Sequence, residues 1–117
     1  MNYLDGFVAA VPVANKAAYL KHAADMTVVL KEYGALRSIE SWGDDVPEGK
    51  LTSFTMAVKR EEGEAIVFSW VEWPSKAARD AGWEKVMSGS RMGPANSPMP
   101  FDGKRMIYGG LQVVLQA

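Results

Sequence analysis

The segment Ile66 to Trp73 (IVFSWVEW), set between Gly63 and Pro74, carries large apolar side chains at both odd and even positions. A strand alternates its side chains between the two faces of a sheet. Phe68 and Trp70 therefore point one way with Glu72, while Val67, Val71 and Trp73 point the other with Ser69. An antiparallel sheet with one wet face shows apolar residues on one side only. The same double pattern recurs in Tyr3 to Val11, where Leu4 and Val8 oppose Tyr3, Phe7 and Val11. It recurs again near the end, where Met106, Tyr108 and Val114 oppose Ile107, Leu111, Val113 and Leu115. Any fold built on these strands must cover both faces of its sheet.

The remaining elements follow from periodicity and punctuation. Tyr3 to Val11, closed by Pro12, reads as the first strand. Asn15 stands as N-cap and Gly34 as stop signal of a helix running to about Tyr33. On it Tyr19, Ala23, Met26, Leu30 and Tyr33 form one apolar stripe. Leu36 to Trp42 is a strand, 44–50 a polar turn, and Phe54 to Lys59 extended chain continuing the same bent strand. Arg60 to Glu64 is a hairpin connection. Ser75 caps a second helix over Lys76 to Met87, with Lys76 and Asp80 paired one turn apart. A loop rich in Gly and Pro over 88–103 leads through the Asp102-Gly103 turn to a last strand, Lys104 to Leu115. The order β-α-β-β-α-β predicts an α+β fold, a ferredoxin-like α/β plait with two helices on one face of an antiparallel sheet.

Two helices cover one face only. Left wet, the other would forgo several kcal/mol of burial at ~25 cal/mol per Å². A chain of 117 residues is expected to form a single domain over 1–117, so the expected cover is a second copy, in a homodimer joined through the sheet face. The alternative is a monomer whose second face is covered by the 89–103 loop and the 43–53 segment.

Composition removes several function classes. The chain has no cysteine, which excludes disulfides, thiolate nucleophiles and thiolate-ligated metals, and fits a reducing compartment. With a net charge of −1 and basic residues scattered from Lys16 to Arg105, it lacks the basic stripe of a nucleic-acid binder, so an RNA-associated role is disfavoured. Met1 to Asp5 runs straight into strand-like sequence, so neither a signal peptide nor a membrane span is expected and the cytoplasm is the default.

The segments LDGF (Leu4 to Phe7), YGALR (Tyr33 to Arg37), DVPEGK (Asp45 to Lys50), VFSWVEWPSKAARD (Val67 to Asp80) and MPFDGKRMIYGG (Met99 to Gly110) together resemble the YbaA-like family of bacterial proteins of unknown function. That family belongs to the dimeric α/β-barrel superfamily. The resemblance implies a ferredoxin-like fold with two sheets facing each other across a dimer. It implies no reaction.

Candidate chemistry is sparse. His22 is the single histidine, so a multi-histidine metal site is excluded and no metal is expected. One imidazole suffices for haem, but mid-helix beside Lys21 and Asp25 it reads as an exposed or structural residue, and no cofactor is predicted. Glu72, among Val71 and Trp73, is a candidate proton acceptor or donor if burial raises its pKa; the alternative is a Glu paired with Arg or Lys of a neighbouring strand. Asp5 poses the same question, and Asp5-Gly6 could instead form a bulge. Trp42, Trp70, Trp73, Trp83, Tyr19 and Tyr108 either line a flat aromatic ligand pocket or pack the core. Arg105 is a candidate clamp for a carboxylate or phosphate, or a pin that pairs with Asp102 and holds the loop. These residues fit a small organic ligand held between sheet and helices, bound or transformed there. A non-catalytic dimeric interaction module is the alternative, and the residues leave open whether the chain is an enzyme.

Overall fold

The computed structural model describes residues 2–89, 91–93 and 98–117. In chain order it contains strand β1 (Tyr3–Pro12), helix α1 (Lys16–Glu32), strand β2 (Arg37–Trp42), a short helix α2 (Phe54–Ala57), strand β3 (Glu64–Trp73), helix α3 (Lys76–Ser88) and strand β4 (Ile107–Gln112). The strands form one four-stranded antiparallel sheet in the order β2-β3-β1-β4. β1 and β2 thus flank β3, and β3 and β4 flank β1.

Register decides which side chains share a face. Tyr3, Asp5, Phe7, Ala9 and Val11 of β1 lie opposite Trp73, Val71, Ser69, Val67 and Ala65 of β3. Ser38, Glu40 and Trp42 of β2 join this face, as does Tyr108 of β4. Against it pack Tyr19, Ala23, Val29 and Leu30 of α1 and Val86 of α3. The β1 ladder runs through Asp5 and Gly6 without interruption, so no bulge forms there.

The helix ends show which local signals operate. Gly34, at φ 111°, takes the left-handed conformation that ends α1, and the Ala35 N–H returns to the Leu30 carbonyl at 3.0 Å. The Ser75 hydroxyl accepts from the Ala78 N–H at 3.1 Å and caps α3. Asn15 stands at the N-cap of α1 without making a cap bond. Its side-chain amide donates instead to the Pro100 carbonyl at 2.9 Å, tying the later loop to the start of the helix.

Two expectations are corrected. Phe54 to Ala57 is helical, not strand, with the Ser53 hydroxyl accepting from the Met56 N–H at 3.0 Å. Both edges of β3 are already taken, by β1 and β2, so this segment has no strand to pair with there. As a helical turn it instead lowers Val58, fully buried, onto Val8, Ala10 and Ile66 of the second sheet face. The last strand is also shorter than Lys104 to Leu115. Gly103–Arg105 forms a 3₁₀ turn, and Val113 to Leu115 lie beyond the ladder.

The second sheet face is covered at one end only. Val46 and Val58 cover Val8, Ala10 and Ile66, and Phe54 meets Phe68 edge-on at 5.9 Å. Phe68, Ile107 and Leu111 remain 41%, 45% and 54% exposed on the rest of that face. Residues 92, 93, 99 and 101 of the 88–103 loop lie on the helix side. Residues 90 and 94–97 of that loop lie outside the described residues.

Trp73 is fully buried, and Gly82 of α3 exists to admit it: a Cβ at Gly82 would stand 2.5 Å from the indole ring and 3.1 Å from the Tyr33 carbonyl. In an exposed helix Gly→Ala gains about 1 kcal/mol of propensity. Here that gain is overridden by overpacking, which costs on the order of 1–3 kcal/mol. Gly82→Ala is expected to lower the urea midpoint of unfolding with an unchanged m-value; a raised midpoint would show that the indole yields freely.

Candidate functional site

Between the helix-facing side of the sheet and the two long helices lies a cavity of about 970 Å³. That volume is at the upper end of the range for small-molecule sites. Its floor is Asp5, Phe7, Ala9, Ser38, Glu40, Val67, Ser69 and Val71, the residues that register sets side by side. α1 contributes Tyr19, His22, Ala23, Met26 and Leu30; α3 contributes Arg79, Trp83, Glu84 and Met87. Met92, Met99, Phe101 and Met106 add the third side. Five thioethers and several rings give walls that are apolar and adaptable, because methionine is unbranched and polarizable.

Two polar centres interrupt this lining. In the first, the buried Asp5 carboxylate accepts from the Trp73 indole at 2.9 Å, the Trp83 indole at 2.7 Å and the Arg79 guanidinium at 2.9 Å. Arg79 also reaches Asp80 at 2.9 Å and lies over the Tyr3 ring, 5.2 Å from its centroid. Gly110 permits this approach, since a Cβ there would meet the Tyr3 hydroxyl at 2.5 Å and Arg79 at 2.7 Å. Asp5 thus has a full set of donors from β3 and α3. Removing one side of such a buried pair costs on the order of 3–5 kcal/mol, which makes this centre a structural anchor at the cavity wall.

In the second, the Tyr19 hydroxyl donates to Glu40 in a short hydrogen bond, with Ser69 opposite Glu40 on β3. Burial raises the Glu40 pKa, with the Tyr19 hydrogen bond opposing the rise. Burial, followed by the bond to Glu40, pushes the Tyr19 phenol far upward. Glu40 itself is exposed, on the edge strand β2, so its carboxylate keeps contact with water. Among the described residues no Lys, Arg or His stands within 4.0 Å of its carboxylate. His22 is half-buried on the α1 wall, its pKa lowered by burial against the opposing charge of Asp25.

The sequence candidates are divided by the sheet. Asp5 and Tyr108 line the cavity. Glu72 and Trp70 do not, because register puts them on the opposite face with Arg37 and Ile39. Glu72 is bidentate to Arg37, at 2.5 and 3.0 Å, and this partner holds its pKa down. The paired reading of Glu72 therefore holds, because the bond to Arg37 outweighs the rise that desolvation alone would cause. Trp42 shares the helix face but lies outside the cavity lining, 6.3 Å from the Tyr19 ring with Lys16 above it. Trp73 is core.

Arg105 is occupied structurally. It is bidentate to Glu64 at 2.8 and 2.7 Å, bonds Asp102 at 3.1 Å and donates to the Lys59 carbonyl at 2.9 Å. The Asp102 pairing and the pinning role were readable from sequence, whereas Glu64 was not. Sequence reasoning also missed Glu40, Ser38 and Ser69; the alternation Ser38-Glu40-Trp42 within a strand was the one available signal. Among the described residues no three His, Asp or Glu side chains are grouped to hold a metal ion. No helix among them is long and apolar enough to cross a membrane.

The Glu64 pair predicts a pH dependence. Arg105 holds the Glu64 pKa down from 4.5 to about 2. A carboxylate depressed in the fold stabilises it fully above the unfolded value and ceases to do so as pH falls through the folded one. The stability advantage of the native chain over Glu64→Gln should therefore shrink between pH 4.5 and about 2. Guanidinium titrations of both proteins across that window check this, and a constant difference would show the pair to be inert.

Comparison with known proteins places the chain. It is 56% identical over 115 residues, 98% of each sequence, to the "Uncharacterized protein YbaA" of Escherichia coli strain K12. The same figures hold for the "Uncharacterized protein YbaA" of Shigella flexneri. The family model described as "Protein of unknown function (DUF1428)" matches residues 2–103, and on that match the chain belongs to the DUF1428 family.

Proposed function

We propose that the chain is a ligand-binding homodimer with the ferredoxin-like plait, each copy holding a small organic molecule between its sheet and helices. The observation that carries the ligand reading is the Met- and aromatic-walled cavity of about 970 Å³, with the Tyr19–Glu40 hydrogen bond in its lining. The plait is supported by the interleaved order β2-β3-β1-β4, in which each βαβ unit is split by a strand of the other. The absence of cysteine fits a cytoplasmic setting. Whether the ligand is transformed or only held is a separate question, and Glu40 is the group that would exchange a proton with it.

The dimer is supported by the uncovered half of the second sheet face, where Phe68, Trp70, Ile107 and Leu111 stand together. A contiguous apolar patch of this kind marks an interaction surface. Pairing two such faces would bury them in a barrel, with the Arg37–Glu72 pairs on the same face. An interaction module without a ligand predicts no cavity beside Glu72 and Arg105. Neither residue lines the cavity, as the module reading expects of them, but a large cavity lies on the helix face of the sheet. The ligand reading accounts for that space and the module reading does not.

Two measurements test these readings. Sedimentation equilibrium at micromolar concentration should give twice the 12.8 kDa chain mass, and Phe68→Glu should halve it; a single-copy native particle would refute the dimer. A panel of bicyclic aromatic probes should raise the melting temperature and alter the tryptophan fluorescence. Ala23→Phe, projecting into the cavity, should weaken binding about tenfold or more while leaving the circular dichroism unchanged. No response across the panel would refute the pocket.

A further inference from the structure

The two edges of the sheet are built differently. β2, at one edge, presents the exposed charges of Arg37 and Glu40. β4, at the other, is exposed at all six of its positions. From Ile107 to Ala117 the chain has neither a charged residue nor a proline. An open edge presents unpaired N–H and C=O groups that recruit another strand, and natural proteins guard it with charge, proline or a cover. The sequence of β4 supplies no such guard.

The chain beyond β4 adds to this surface. Gln112 pairs with Tyr3, and the Val113 N–H donates to the Asn2 carbonyl at 3.1 Å. Tyr3 in turn faces Trp73, the last residue of β3, so the sheet ends at this point. Val114 and Leu115 overhang that end and are 80% and 84% exposed. Register puts Ile107 and Leu111 on the second sheet face, with Val113 next in the row. The overhang therefore continues the apolar patch of Phe68, Trp70, Ile107 and Leu111.

Area and charge name the occupant. A stable pair of proteins buries roughly 800 Å² on each partner. Phe68, Ile107 and Leu111 are each about half sheltered and supply only part of that. Val114 and Leu115 expose about as much apolar surface again. A two-fold interface sets one patch against its own copy, and a segment without charge meets its copy without repulsion. We infer that residues 113–117 form an arm that each copy lays on the other, burying Val114 and Leu115 against the partner beside the paired sheet faces. This rests on the dimer reading above and adds a second contact to it: the interface reaches past the end of the sheet, and each overhang is sheltered only by the partner.

Sedimentation of the native chain from nanomolar to micromolar concentration gives the dissociation constant of the dimer. The double substitution Val114→Glu, Leu115→Glu is expected to raise it about tenfold or more. Circular dichroism should not change, since both side chains lie beyond the ladder. Burial itself is read from an introduced thiol, because the chain has no cysteine. Leu51 is 98% exposed, and within one copy Leu115 is nearly as open. At micromolar concentration Leu115→Cys should nevertheless react with an aromatic disulfide reagent about tenfold or more slowly than Leu51→Cys. An unchanged dissociation constant, or equal thiol rates, would overturn the arm while leaving the dimer of sheet faces intact. A native chain that sediments as one copy at micromolar concentration would overturn both. Should the double variant not fold, the thiol rates decide alone.

Discussion

The Asp5 carboxylate, buried between sheet and helix, is the contact on which the arrangement turns. It belongs to the central strand β1 and accepts from Trp73 at the end of β3 and from Trp83 and Arg79 on α3. A charge taken out of water is tolerated only when its acceptor sites are filled in good geometry. Filling them fixes the angle at which α3 leaves β3 and the face that the helix turns to the sheet. Gly82 and Gly110 serve the same centre, one by admitting the Trp73 ring to the helix and the other by letting Tyr3 and Arg79 approach β4. With α3 held this way and α1 seated through Tyr19, Ala23 and Leu30, the space between them is set by the fold's polar anchor as much as by its apolar packing.

That frame divides the chain's acids by role. Asp5, Glu64 and Glu72 each face a guanidinium, from Arg79, Arg105 and Arg37 respectively. They hold helix to sheet, loop to strand and strand to strand. Glu40 is different: its side-chain hydrogen-bond partner is the Tyr19 hydroxyl of α1, and it lines the cavity. Burial raises its pKa while the Tyr19 bond opposes the rise.

The sheet's two faces serve different ends. The helix face carries the cavity and its polar groups, whereas the second face is apolar and only partly sheltered by Val46, Val58 and Phe54. Since adjacent residues on β3 serve opposite faces, Trp70 and Glu72 belong to the second face while Ser69 and Val71 belong to the first. A functional reading that treats VFSWVEW as one site therefore mixes two.

Much of the fold was legible in residues alone. Pro74, Ser75, Gly34 and Gly63 marked ends correctly because each acts through its own backbone or a neighbour three or four residues away. Strand alternation gave the two apolar faces of β1, β3 and β4 for the same reason. Sequence misread 54–59, where extended propensity lost to the lack of a free edge on β3, and it looked for function at Glu72, whose Arg37 partner lies on another strand. Which strand neighbours which, and in what register, is fixed by contacts between residues far apart in the chain. Only that register could bring Glu40 beside Ser69 under Tyr19 and set Glu64 against Arg105. Local chemistry thus determined the elements and their greasy faces, while long-range pairing decided which acids were neutralised and which side chains came to face the cavity.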